Sequence, residues 1–219
     1  MADIPTVLVG RLPAGAENLA VHVAGPDDAT QVADVVGSAF EGDPTWSWAF
    51  PNPTVRRRFW QFAIEGALRF PWTFRTSAFE TVSVWIPPGE SEFSHAQESR
   101  LPDLLVELAG PRAGDVAELM NRFDLAHPRT EPHYYLSLLG NHQQQRGRGL
   151  GMAMLRENLA RVDALHMPAY LESSNPANIH RYESVGFETV TSFQAPNEGP
   201  VVTGMWRRRV KAWPSASNR

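Results

Sequence analysis

The 219-residue chain contains no cysteine, which excludes disulfide bonds, thiolate metal ligands and a cysteine nucleophile. It has no apolar run approaching the ~20 residues that a membrane-spanning helix needs. Its formal net charge of −4 argues against broad binding to nucleic acid. The histidines show no metal-ligand spacing such as His-x-x-x-His, so the sequence predicts no metal site.

The composition that is present is typical of one globular domain. Apolar residues make up 42% of the chain and charged residues 20%, and the length is sufficient to bury a core. The N-terminus lacks a basic leader followed by a long apolar core, so we expect no secretory signal and a cytoplasmic protein. We expect an extension over residues 1–18, with a short extra strand at Thr6–Val9, a domain over 19–206, and a tail over 207–219.

Apolar patterns bounded by turn residues predict seven strands and six helices in that domain. The strands are Leu19–Val23, Phe74–Thr76, Glu80–Trp85, His133–Gly140, Ala169–Ser173, Glu188–Phe193 and Val201–Trp206. The first helix follows Asp27-Asp28 and ends near Gly42, and the others cover about 54–70, 101–109, 115–123, 152–162 and 179–186.

The stretch Tyr134–Leu155, YYLSLLGNHQQQRGRGLGMAML, predicts a strand, a polar loop and a helix. The first turn of a helix has four backbone N–H groups without an intrahelical partner, and the helix dipole adds positive charge there. We therefore expect a phosphate or pyrophosphate to bind against Gly147, Gly149 and Gly151, where no side chain blocks the backbone. The neighbouring arginines, Arg146 and Arg148, add positive charge.

The common phosphate-binding loops do not match this stretch. No Gly-Lys-Ser/Thr follows the glycines, which argues against a nucleoside triphosphate loop. The spacing is G-x-G-x-G rather than G-x-G-x-x-G, which argues against a dinucleotide site. A strand-to-helix turn that binds no ligand is the alternative interpretation.

The stretch resembles the acetyl-CoA loop of the GNAT superfamily of N-acetyltransferases, whose pattern Arg/Gln-x-x-Gly-x-Gly/Ala is met by Arg146, Gly149 and Gly151. Residues 169–187, AYLESSNPANIHRYESVGF, resemble the family's fifth strand, its asparagine-containing loop and the helix that carries a tyrosine before a closing Gly-Phe. Within the superfamily the chain is most similar to the puromycin N-acetyltransferase-like branch. The segments that carry this likeness are Ser83–Pro88, Glu131–Gly140 and Tyr170–Glu188.

The resemblance implies an α+β fold in which a mixed central sheet splays between its fourth and fifth strands and is flanked by helices. It implies an acetyl-CoA-dependent N-acetyltransferase that acts on a primary amine of a small molecule, for example an antibiotic-like or aminonucleoside-like amine, by direct attack in a ternary complex. A non-catalytic acyl-CoA-binding module and a protein or peptide N-acetyltransferase are the alternatives. We expect no nucleic-acid or membrane partner, and a monomer or homodimer.

The resemblance also assigns cofactor-binding residues. The pantetheine arm would bond to the free backbone of the fourth strand, and the diphosphate would bind the glycine-rich loop. Two asparagines would bond the pantetheine or cap the helix that follows them. The residues are Leu138, Leu139, Gly140, Arg146, Gly147, Arg148, Gly149, Leu150, Gly151, Asn175 and Asn178.

Two residues are the candidate acid and base. Tyr182 stands four residues before Gly186, as the family's general acid does, and its alternative is a tyrosine packed in the core with a satisfied hydroxyl. Glu172 is the first candidate base, and its alternative is a strand glutamate paired with an arginine. Other candidate bases are His127, Glu131 and His133.

Two segments are candidates for the acceptor side of the site. Asp43–Pro53 reads as an aromatic-rich loop whose Trp46, Trp48 and Phe50 line a pocket or pack in the core. Residues 89–131 resemble the helical insertion of the puromycin-acetyltransferase branch, which borders the acceptor pocket. Between them, Thr54 is expected to cap a helix whose solvated face carries Arg56, Arg57 and Arg58.

Overall fold

The computed structural model describes residues 19–209. The expected extension over residues 1–18, with its strand at Thr6–Val9, lies outside these residues, as does the expected tail from residue 210 onward. Arg207, which the expected tail included, is the last residue of a strand and forms an ion pair with Asp163 at 2.6 Å.

A seven-stranded mixed sheet forms the centre of the described chain, in the order β1-β2-β3-β4-β5-β7-β6. Only the β4–β5 pair is parallel within it. This confirms the predicted mixed sheet, with strand ends shifted by one or two residues. The strands are β1 (Val21–Val23), β2 (Thr73–Thr76), β3 (Thr81–Ile86), β4 (Tyr134–Asn141), β5 (Ala169–Ser173), β6 (Glu188–Gln194) and β7 (Val201–Arg207).

Helices cover both faces of this sheet. One core lies between the sheet and α1, α3, α4 and α5, and a second lies between the sheet and α6. Since α6 connects the parallel strands β4 and β5, the predicted strand–helix–strand crossover is confirmed. The α-helices are α1 (Ala29–Ala39), α2 (Pro44–Ala49), α3 (Pro53–Ala67), α4 (His95–Ala109), α5 (Ala113–Ala126), α6 (Leu150–Ala164) and α7 (Ile179–Glu183).

The aromatic-rich segment that we expected as a loop contains the short helix α2. The carboxylate of Asp43 accepts a hydrogen bond from the backbone N–H of Trp46 at 3.0 Å and so caps the helix. Pro44 is the first helical residue, where its missing N–H costs no hydrogen bond. The prediction of a loop was therefore wrong for this segment.

The helix α3 differs from its prediction in its cap and in one arginine. Its cap is Asn52 rather than Thr54, because the Asn52 side chain accepts the N–H of Thr54 at 2.9 Å. Arg56 does not lie on a solvated face, since it is only 3% exposed. Its guanidinium donates to the carbonyls of Phe40 and Glu41, at 2.9 and 3.0 Å, which terminate α1.

The predicted insertion forms a helical hairpin that is longer than expected. The helix α4 begins at His95, because Ser94 and Gln97 form a capping box, and α5 continues to Ala126. Within residues 19–209, no helix is both long and apolar enough to cross a membrane.

Candidate functional site

The parallel strands β4 and β5 separate along their length. They pair only where Tyr134–Leu136 face Ala169–Leu171, and the rest of β5 continues to pair with β7. The last five residues of β4, residues 137–141, therefore have no strand partner on the β5 side within the described part of the chain. The sheet opens there into a wedge that exposes backbone hydrogen-bonding groups.

A β-bulge sits where the wedge begins. On β3, Val84 pairs with Leu138 and Trp85 pairs with Leu136, so Ser137 of β4 has no opposite residue. A bulge redirects the side chains that follow it. The Ser137 hydroxyl donates a hydrogen bond to the carboxylate of Glu92, in the segment before α4.

A cavity of about 900 Å³ opens at the wedge. Part of its wall is aromatic: the Trp46 ring centroid lies 4.6 Å from that of Trp60 and 5.5 Å from that of Phe59. The predicted insertion supplies another part of the wall, through residues of α4, α5 and their flanking segments. Of the predicted cofactor-binding residues, the acid and the first candidate base, five line the cavity: Leu138, Leu139, Glu172, Asn178 and Tyr182. The other candidate bases, His127, Glu131 and His133, line it too.

Tyr182 extends from α7 to the cavity wall. Burial, with a smaller contribution from the negative charge of Asp43, raises the pKa of Tyr182 to about 12. The phenol therefore carries its proton at neutral pH. This arrangement meets the first requirement for a general acid, which is a proton held at the cavity wall.

Glu172 lies at the end of β5, and its side chain is only 2% exposed. Among the described residues, no arginine pairs with it as the alternative interpretation expected. Oε1 lies 3.7 Å from Nδ1 of His127, and the side chains of Tyr135 and Tyr170 also face the carboxylate, yet no described group meets hydrogen-bond geometry at Oε2. A buried carboxylate oxygen without a partner in a cavity wall can accept a proton or a hydrogen bond from a ligand.

The other candidate bases lie beside Glu172. Nε2 of His127 is 3.1 Å from Nε2 of His133, and Nδ1 of His133 is 2.7 Å from the carbonyl oxygen of Glu131. The side chain of Glu131 is not part of this chain of contacts, so only its backbone contributes to it. Among the described residues, no group of three or more histidine, aspartate or glutamate side chains is arranged to hold a metal ion.

Glu92 is a site residue that the sequence did not reveal. It lines the cavity, and burial raises the pKa of its carboxyl, with the negative charge of Glu172 adding to the shift. A single glutamate in an irregular segment has no local pattern that would mark it. Only the bulge at Ser137 and the splay of β4 bring it next to Glu172.

A second missed group ties α2 to the end of β5. Ser174 Oγ donates to the Asp43 carboxylate at 2.7 Å, and Thr45 Oγ1 donates to the Ser174 carbonyl at 2.8 Å. Burial raises the pKa of Asp43. These bonds hold the helix that carries Trp46 against the strand that carries Glu172. The Asp-Pro dipeptide at the start of α2 was the available signal.

The glycine-rich loop is open at two of its three glycines. Gly147 and Gly149 have φ angles of +79° and +74°, and no heavy atom of residues 19–209 lies within 4 Å of a Cβ built on either residue. Gly149 is the N-cap of α6, and no described side chain caps that helix. The N–H groups of its first turn therefore remain available to an anion, so the loop fits the phosphate end of a cofactor.

The other two predicted glycines serve packing. A Cβ on Gly151 would lie 2.9 Å from Oδ1 of Asn141, and a Cβ on Gly140 would lie 2.7 Å from Cβ of Ala39. Their small size lets α6 and α1 approach β4 closely.

The loop arginines make local bonds. Arg146 donates to the Ala39 carbonyl at 2.7 Å, and Arg148 donates to the Gln145 side chain. Leu150 is buried at the start of α6.

The two predicted asparagines, Asn175 and Asn178, make different contacts. Asn175 accepts the N–H of Ala177 at 3.0 Å and so caps a short 3-10 turn, whereas Asn178 makes no cap bond and accepts from Arg181 at 3.0 Å.

Of the three aromatic residues of the α2 segment, only Trp46 lines the cavity. Phe50 is buried in the core, and Trp48 packs under the Arg112 guanidinium at 4.6 Å.

No protein-family model matches the chain. Among solved structures, it is similar to a protein described as histone acetyltransferase HPA2 and related acetyltransferase from Corynebacterium glutamicum, with 24% identity, a TM-score of 0.61, and coverage of 87% of this chain and 96% of that chain. It is similar to a Drosophila melanogaster polyamine N-acetyltransferase, with 14% identity, a TM-score of 0.62 and coverage of 86% and 99%. It is also similar to arylalkylamine N-acetyltransferase 2 from Aedes aegypti, with 11% identity, a TM-score of 0.61, and coverage of 88% of this chain and 99% of that chain.

These likenesses extend over nearly the whole of each solved chain, and they agree on the architecture. The mixed sheet with a parallel, splayed β4–β5 pair and flanking helices is the GNAT acyltransferase fold. The fold class predicted from the sequence is thereby confirmed.

Proposed function

We propose that this protein is an acetyl-CoA-dependent N-acetyltransferase that acetylates a primary amine of a small molecule by direct attack in a ternary complex. The observation that carries the proposal is that Tyr182 and Glu172 both line the cavity where β4 and β5 separate. Tyr182 offers a proton there, and the unpartnered oxygen of Glu172 can accept one.

The cofactor side of the proposal uses the exposed backbone. Bound acetyl-CoA would supply the acetyl thioester. The open N–H groups at Gly147, Gly149 and the first turn of α6, together with Arg146, Arg148, Leu150 and Gly151, would hold its diphosphate. The unpartnered edge of Leu138, Leu139 and Gly140 would bond the pantetheine arm, with Asn178 at the cavity wall beside it and Asn175 one turn away. An N–H of this edge would also polarise the acetyl carbonyl.

The acceptor side uses Glu172. A primary alkyl amine with a pKa near 10.4 is only about one part in 2,500 neutral at pH 7, so the site must remove a proton before the nitrogen can attack. Glu172 takes that proton, and Glu92 places a second carboxyl group in the same cavity wall. Tyr182 holds a proton at its hydroxyl, where the departing sulfur needs one.

Three features support a small amine rather than a protein as acceptor. The α4–α5 hairpin and α2 form part of the cavity wall, which suits a small acceptor. The polyamine N-acetyltransferase is described as forming N-acetylagmatine, and the Aedes protein is named for arylalkylamines. The motif likeness to the puromycin-acetyltransferase branch favours an aminonucleoside-like or related amine as one member of the class.

A screen for free-thiol release tests the proposal. The purified protein is given acetyl-CoA and a panel of amines that includes puromycin, amino-acid amides, agmatine, polyamines and arylalkylamines. We expect release with at least one amine, and a fall of roughly tenfold or more in Tyr182→Phe with acetyl-CoA affinity unchanged in calorimetry. The matched variant Tyr134→Phe alters a tyrosine outside the cavity and should keep the parental rate.

The outcomes separate the parts of the proposal. If Tyr182→Phe is as fast as the parent, the assignment of the acid is wrong. Tight acetyl-CoA binding without release on a broad panel would instead indicate a non-catalytic acyl-CoA-binding module.

A further inference from the structure

Glu172 stands at one end of a line of groups that finishes at a backbone carbonyl. Oε1 of Glu172 faces Nδ1 of His127 at 3.7 Å, and Nε2 of His127 faces Nε2 of His133 at 3.1 Å. Nδ1 of His133 then lies 2.7 Å from the carbonyl oxygen of Glu131. Three separate segments of the chain supply these groups: the end of α5, the segment before β4, and β5.

The carbonyl at the end of the line fixes where the hydrogens lie. A carbonyl can only accept, so His133 carries its hydrogen on Nδ1 and has a lone pair on Nε2. His127 therefore donates from Nε2, and in its neutral form its own lone pair is on Nδ1. That lone pair faces the Glu172 carboxylate, and two acceptors with no hydrogen between them rest beyond hydrogen-bonding distance, as the 3.7 Å separation indicates.

We propose that His127 and His133 are positioning residues that act through Glu172 as a proton relay. The proposal depends on the acetyltransferase function inferred above. In the relay step, an N–H bond of the acceptor ammonium breaks, its electron pair stays on nitrogen, and the proton enters the Glu172–His127 pair. The proton comes to rest between Nδ1 and Oε1, and no bond between heavier atoms changes in this step.

Burial explains why Glu172 needs a relay. The Glu172 side chain is 2% exposed, so it exchanges protons poorly with bulk water, whereas the His127 side chain is 23% exposed. A proton collected by Glu172 can therefore leave through His127. His133 holds His127 in the tautomer that makes this transfer possible, as the partners of functional histidines commonly do.

The groups around His127 favour this assignment. Facing it are Glu172 and Tyr170 of β5, Tyr135 of β4, His133, and Glu92 from the segment before α4. Burial raises the pKa of both tyrosines, so they stay neutral, and burial lowers the pKa of His133, so it remains the neutral acceptor.

Nitrogen-15 NMR of the imidazoles tests the relay without any turnover. In the parent protein at alkaline pH, we expect an Nδ1–H tautomer for His133 and an Nε2–H tautomer for His127. The opposite tautomers would overturn the relay whether or not the protein acetylates any amine.

Kinetics with an amine from the thiol-release screen give the second test. His127→Gln should lower kcat by roughly tenfold or more, leave the KM for acetyl-CoA unchanged, and move the acidic limb of the pH profile to lower pH. The acidic limb moves because a lone carboxylate is a weaker base than the pair.

Two substitutions of His133 distinguish the relay from a structural role. His133→Gln keeps an acceptor near the position of Nε2 and should retain most of the rate, whereas His133→Phe keeps the bulk without an acceptor and should lose it. Thermal unfolding and acetyl-CoA calorimetry establish that each variant is folded. Equal rates in these two variants, or a parental pH profile in His127→Gln, would refute the relay.

Discussion

The glycine-rich loop and the cavity wall are built on different principles. The glycine-rich loop offers backbone N–H groups from a single run of six residues, Arg146–Gly151, and its working surface is open. The cavity wall offers side chains that come from at least four separate segments, among them Glu92, His127 and Glu172. The loop thus presents a local property of the chain, and the wall presents a property of the assembled fold.

This difference sets what each side can tolerate. The loop depends on backbone conformation and on empty space, so a single added side chain is enough to block it. The wall depends on relative placement, so it is sensitive to changes in buried groups that hold α1, α2 and β5 together, such as Arg56, Asp43 and Ser174.

The largest expected effect comes from filling the loop. Gly149→Asp places a side chain and a negative charge at the N-terminus of α6, at a residue with φ +74°, so acetyl-CoA affinity should fall by roughly a hundredfold or more. Isothermal calorimetry measures it. Gly110→Asp is the matched control, because Gly110 also has positive φ and open space, but lies at the α4–α5 junction. If the parent and Gly149→Asp bind acetyl-CoA with equal affinity, the cofactor does not bind at this loop.

The same difference explains how far the sequence could be interpreted. The β4–α6–β5 unit was predicted because it combines two short apolar runs, a helical apolar stripe and a glycine-rich junction, and each of these is a local signal. Tyr182 was predicted from the resemblance to the GNAT superfamily, whose catalytic tyrosine stands four residues before the glycine matched here by Gly186, and Glu172 was predicted from its place on the fifth strand. The structure puts both in the cavity wall, although their roles remain predictions.

The rest of the site had no such signal. Glu92 becomes part of the cavity only because a bulge at Ser137 turns β4 toward it. His127 and His133 stand six residues apart and meet because the chain turns back between α5 and β4. Arg56 belongs to a run of three arginines, and nothing in the run distinguishes the buried member from its exposed neighbours.

Replacing Arg56 tests how strongly the buried groups behind the cavity wall stabilise the fold. Arg56→Met removes the donor to the carbonyls at the end of α1 and to Ser47 Oγ, so we expect a loss of about 2 kcal/mol in the free energy of unfolding. Chemical denaturation measures it. Arg58→Met is the matched control on the same helix, since its ion pair with Glu107 is 54% exposed and should contribute less than about 0.5 kcal/mol. Similar losses in both variants would show that Arg56 does not organise the wall.

The smallest expected effect concerns Asp43, which links α2 to Ser174. Burial raises its pKa above the ordinary value of 3.8, so the folded protein holds this proton more tightly than the unfolded chain does. Its contribution to stability is therefore fully present in acid and is lost as the pH rises through the folded-state value. Asp43→Asn keeps an acceptor for the Trp46 N–H but carries no charge, so the variant should become more stable relative to the parent as the pH rises from acidic to neutral. Denaturation curves across that pH range give the sign of the change in the stability difference. If the parent instead becomes more stable relative to the variant as the pH rises, the hydrogen bonds of Asp43 and the charge of Arg56 stabilise the carboxylate more than burial destabilises it.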